Sequence, residues 1–147
     1  MNRHCLAMIA ILLAHAGVAR CDDATKAKPK IEGTWRGSKA ELGGKKMPDK
    51  VVSNLRLTLK DGTYAVIAES PDRGTVAYDT SAEPKTMDIK GVEGPNKGRT
   101  ILAIYELKDD MLTICYDLSG LSRPKGFETR PGTRLFLVTY AREKKTD

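Results

Sequence analysis

The sequence predicts an all-β fold, an eight-stranded up-and-down antiparallel meander barrel, and three observations predict it. Short apolar runs recur along the chain with turn signals between them, and no apolar spacing of helical period extends beyond about two turns. With 147 residues, 40% hydrophobic and 30% charged, the chain has the composition of one water-soluble globular domain with a single core. An open meander of eight strands would leave two unpaired edges and a bare apolar face, and closing the first strand onto the last removes both.

The strands follow in order. The first, GTWRGSKAEL (33–42), opens on a glycine two places before Trp35, the chain's one tryptophan. The second, NLRLTLK (54–60), alternates cleanly: Leu55, Leu57 and Leu59 share one face, and Asn54, Arg56, Thr58 and Lys60 share the other. Asp61-Gly62 supplies the positive φ angles of a tight hairpin, from which the chain returns as TYAVIAE (63–69). SPDRG, SAEPK and EGPNKG then break the pattern before TVAYDT (75–80), TMDIKGV (86–92) and RTILAIYEL (99–107). KDD turns into MLTICYD (111–117), and a long irregular piece, LSGLSRPKGFETRPG, precedes the last run, TRLFLVTYAR (133–142). Periodicity does not fix the inward face of every strand, because ILAIYEL and LFLVTY are apolar on both sides. Such two-sided apolarity points to an external contact with a protein partner or a homodimer.

Residues 1–21 read as a secretory signal peptide: Arg3 in a short basic start, an apolar run from Cys5 to Ala14, then small residues offering cleavage after Ala16, Ala19 or Cys21. The run is too short to span a bilayer, so no transmembrane segment is expected; a buried N-terminal helix is the alternative. A secreted or periplasmic protein follows. Arg20 immediately before Cys21 disfavours lipid anchoring there, because lipidating enzymes need small side chains at that position. Residues 22–30, polar and proline-punctuated, read as a flexible leader, 31–142 as the barrel domain and 143–147 as a polar tail.

Composition excludes several chemistries. Losing residues 1–21 removes Arg3 and Arg20 and no acid, which leaves a mild basic excess spread over the chain. With no aromatic-rich basic motif, no nucleic-acid role is expected. Both histidines, His4 and His15, fall inside the expected signal peptide, so the mature chain has no imidazole for a Ser-His-Asp or Cys-His pair or for the usual zinc sites. Cys115 reads as a small buried apolar residue. Glu106 and Asp88 stand among strand residues without pairing evidence, and no catalytic spacing is recognisable. The expectation is a protein that is not an enzyme, with no cofactor and no metal. GPNKGRT (94–100) has a phosphate-loop flavour without the spacing or the following helix, and reads as a turn.

IEGTW at the first strand, KTMDI and EGPNKGRTILAIYELKDDMLTICYD in the middle, and RPKGFET before the last strand resemble the lipocalin-like domain family described mainly from secreted planctomycete proteins. The resemblance covers about residues 31–142 and lies in the ordered set of pieces. Gly33-Thr34-Trp35 is similar to the G-x-W signature of lipocalins. The resemblance implies a calycin-type barrel whose floor is closed by the tryptophan, packed by an arginine of the last strand; Arg142 stands in the matching place. Gly33 would let the entering chain pass close beneath the barrel. Trp35 as an ordinary core residue without such a partner is the alternative.

Ligand binding comes by fold analogy, with a small apolar or amphipathic molecule in the lumen; near eight strands the interior is wide enough for side chains or one small ligand. The candidate ligand-binding residues are Tyr64, Tyr105 and Tyr116 on strands, whose rings and hydroxyl tips suit a lumen, and Arg123 and Phe127 in the longest loop near a barrel mouth. Arg130, in the same loop, is a further cationic donor. The chain is shorter than lipocalins proper, so a filled barrel serving protein–protein interaction is the alternative. Small residues such as Ala65, Ala77 and Ala103 facing inward would leave space, whereas inward Tyr, Leu and Met would fill it.

Overall fold

The computed structural model describes residues 30–145. The expected signal peptide, most of the leader and the last two residues lie outside the described residues. Nine strands and one short helix are present among them: β1 (Gly33–Leu42), β2 (Lys45–Lys46), α1 (Asp49–Ser53), β3 (Arg56–Lys60), β4 (Thr63–Ile67), β5 (Asp72–Asp79), β6 (Lys85–Glu93), β7 (Thr100–Lys108), β8 (Met111–Asp117) and β9 (Leu135–Arg142). β1 and β3–β9 pair antiparallel with their sequence neighbours, and β1 also pairs with β9 from Trp35↔Arg142 to Leu42↔Phe136. That last pairing closes an eight-stranded up-and-down barrel. Every expected strand is present. The additions are β2, a two-residue return of β1, and α1, a single turn that no apolar periodicity could announce.

Local chemistry sets the register. Asp61 and Gly62 take φ of 49° and 72°, as the expected hairpin requires. Leu57 and Leu59 enter the core while Arg56 and Lys60 face water. In β1 the pairing with β9 slips between Gly37 and Lys39. This bulge reverses the alternation, so that Trp35 and Ala40 are both buried and Lys39 and Glu41 stay outside. The main core runs along the inward faces, through Trp35, Leu59, Met87, Leu112, Ile114 and Val138.

The two-sided apolarity of β7 and β9 has an answer within the chain. Ile104 and Cys115 face outward in register and are fully buried, outside the main cluster. Residues 118–134 cross them as a strap. Arg123 Nη1 donates to the Ala103 carbonyl at 2.9 Å and Nη2 to Asp88 Oδ1, the Cys115 thiol meets the Glu128 carbonyl, and Thr129 Oγ1 donates to Glu41 on β1. The strap is anchored at its start by Asp117, which accepts hydrogen bonds from the Ser119 and Ser122 amides.

Candidate ligand-binding lumen

The barrel has one closed and one open end. At the closed end Trp35 is fully buried and its indole N–H donates to the Ile31 carbonyl at 2.9 Å. The Arg142 guanidinium lies 4.1 Å from the ring centre and donates Nη1 to the Glu32 carbonyl, Nη2 to the Lys30 carbonyl and Nε to Asp110. Gly33 has φ 138°, and a Cβ there would sit 2.8 Å from Arg142 Nη1. The expected floor, with Gly33, Trp35 and Arg142 in their expected places, is therefore formed, and the ring has the cationic partner that the alternative reading lacks.

The open end leads into a cavity of about 890 Å³. Its walls are largely apolar, with Ala40, Leu57, Val66, Met87, Ile101 and Phe136 among them. α1 lies at the mouth, contributing Lys50, Val51 and Val52, and Arg99 and Arg134 add two further cations to the lining. Val52 is buried and the Val52 carbonyl approaches Gly37 so closely that only a residue without Cβ fits.

Polar groups enter this cavity in two places. Asp72, buried at the start of β5, accepts the Tyr64 hydroxyl at 2.9 Å, the Asn96 amide at 3.1 Å and Asn96 Nδ2 at 2.7 Å. It thereby ties the β6–β7 loop to the rim. Deeper in the barrel the Tyr116 and Tyr140 hydroxyls lie 3.1 Å apart. Burial, followed by its neighbours' phenols, pushes Tyr116 well above the ordinary phenol range; burial pushes Tyr140 up to about 12 although the hydrogen bond it shares with Tyr116 lowers it. Burial, then the Asp72 carboxylate, raises Tyr64. All three stay protonated donors at physiological pH.

Of the five expected ligand residues, the structure brings two together: Tyr64 and Tyr116 line the cavity. Tyr105 also faces inward, but packs edge-on against Tyr78, 6.0 Å between ring centres, and does not line the cavity. Arg123 lies on the outer wall, its guanidinium taken by Asp88 and strand carbonyls, because the long loop leaves the mouth and runs down the outside. Phe127, half-buried in that strap, does not line the cavity either. Arg130 pairs with Glu128 on the surface. Of the three alanines, Ala103 is inward and fully buried, whereas Ala65 and Ala77 pair with the outward residues Thr58 and Asp88. The β6–β7 loop is the expected turn, and the Asn96 amide already serves Asp72. No group of His, Cys, Asp and Glu among the described residues is arranged to hold a metal ion, and no helix among them is long and apolar enough to cross a membrane.

No family model matches the chain, and no curated protein or solved structure matches it either. The site thus stands on its own geometry.

Sequence reasoning missed Asp72, Asn96, Tyr140 and α1. Asp72 and Asn96 lay in turn signals, where polar residues are the rule, and Tyr140 lay in a run apolar on both faces. The one available signal was parity: Tyr140 is in step with Phe136 and Val138.

Proposed function

We propose that the protein is an exported, non-enzymatic binding barrel of the lipocalin-like kind, which holds a small apolar or amphipathic molecule in its lumen. The observation that carries this reading is the apolar cavity of about 890 Å³ inside a barrel closed below by Trp35 and open above. A barrel filled by its own side chains and acting only through its outer surface would not retain that space. The ordered set of motifs that resembles the secreted planctomycete family, and the signal-peptide pattern of residues 1–21, support membership and export.

Native mass spectrometry of the mature protein purified from its own host tests the reading. A discrete extra mass that is lost on denaturation supports it and gives the ligand class. A clean apo mass, together with no displacement of an environment-sensitive apolar dye from the lumen, would instead favour the interaction module.

A further inference from the structure

The hydroxyl protons of the inward tyrosines do not balance against the acceptors around them. Tyr64 gives its proton to Asp72. Between the Tyr116 and Tyr140 hydroxyls only one proton can lie, so the other has no acceptor among the described residues. The Tyr78 hydroxyl, behind the cavity wall, is also buried without a hydrogen-bond partner among the described residues. Buried donors are ordinarily paired, and each one left over marks an acceptor to be supplied. Both members of the pair line the cavity.

The charges narrow the acceptor. Lys50 in α1 and Arg99 and Arg134 just before β7 and β9, the cations lining the cavity, sit at its mouth, and the carboxylate of Asp72 stands at the rim. An ionised group carried to the tyrosines would be buried without a counter-charge, which is costly. A hydrocarbon end would leave the spare proton unpaired. A carbonyl oxygen accepts it without bringing a proton of its own.

We propose that the lumen takes its ligand oxygen-first: a neutral carbonyl, of a ketone, aldehyde or ester, accepts a hydrogen bond from the Tyr116–Tyr140 pair, and the hydrocarbon remainder packs against Ile101 and Phe136 toward the mouth. This rests on the lumen being a binding site, and specifies which end of the ligand enters and what it bears.

The test uses three probes of one shape on the full mature chain: 2-acetylnaphthalene, its hydrocarbon isostere 2-isopropenylnaphthalene, and 2-naphthoate. The ketone is expected to bind about tenfold more tightly than the hydrocarbon, the worth of one added buried hydrogen bond, and more tightly than the carboxylate. Its carbonyl stretch in the complex should lie below that of the same ketone in an alkane solvent, where no donor is present. Tyr116→Phe or Tyr140→Phe alone leaves one hydroxyl free to donate and keeps the preference, whereas the double variant abolishes it. Equal affinity for ketone and hydrocarbon, or a stretch at the alkane value in the wild-type complex, overturns the oxygen-first proposal and leaves the binding lumen standing. Failure of all three probes to bind overturns both. The infrared measurement needs no variant, so a double variant that does not fold leaves the proposal exposed to refutation.

Discussion

The guanidinium of Arg142 caps the ring of Trp35 at 4.1 Å and at the same time holds the carbonyls of Lys30 and Glu32. One side chain of the last strand thus joins the first strand's tryptophan to the segment that enters beneath it. The barrel floor is a three-part contact whose members lie at opposite ends of the domain.

Trp35→Ala should destabilise the protein by about 3–5 kcal/mol, the range for deleting a large buried aromatic side chain. Urea unfolding reads it, and an unchanged midpoint would reject the floor. A double-mutant cycle of Trp35→Phe with Arg142→Met should return a coupling energy of about 0.5–2 kcal/mol. Zero coupling would mean that the guanidinium serves only the carbonyls.

Asp72→Ala should cost about 1–3 kcal/mol, because the Tyr64 hydroxyl and the Asn96 donors lose their buried acceptor. Hydrogen exchange should quicken selectively at residues 94–99 beside the mouth. Loss spread evenly over the barrel would show that Asp72 does not hold that loop.

Arg123→Ala should loosen the strap without opening the barrel, since the guanidinium spans Met87, Ala103 and Asp88 from outside. Cys115 is fully covered by that strap, so its labelling by a thiol reagent should accelerate by roughly an order of magnitude, following the lower cost of local opening. An unchanged labelling rate would place the cover elsewhere.

Stability should fall on the alkaline side. Burial raises the Cys115 thiol from 9.0 to about 11 and the Tyr140 phenol from 10.0 to about 12. Both groups prefer to be protonated in the fold, so their contribution is complete below the unfolded values and is lost as pH climbs through the folded ones. The melting temperature should therefore decline from about pH 9 upward. Cys115→Ala, compared with the wild type as a difference across pH, should make the earliest part of that decline shallower; parallel curves would contradict a buried neutral thiol.

How far the fold and the site were legible in the sequence differs by region. Strands with one wet face were legible throughout: Leu57 and Leu59 face in because Arg56, Thr58 and Lys60 cannot. The floor was legible as well, because Gly33, Trp35 and Arg142 are named by a short motif and a strand end. The mouth was not. Asp72 and Asn96 meet across 24 residues, and turn composition carries no record of such a meeting. Arg123 was placed at the mouth on the length of its loop, but Ile104 and Cys115 needed cover on the outer wall and drew the loop there. Apolar residues on both faces of one strand meant a second small core, which the chain itself supplies.

The bulge in β1 makes the lumen's character depend on chain length as much as on residue type. Upstream of it the odd-numbered positions point inward, and downstream the even-numbered ones do. Without that bulge, strict alternation of the same letters would carry Lys39 and Glu41 inward in place of Ala40, converting a greasy wall into a wet one. In this barrel a single inserted residue acts as a phase setting, and the lining of the lumen is set by counting as well as by chemistry.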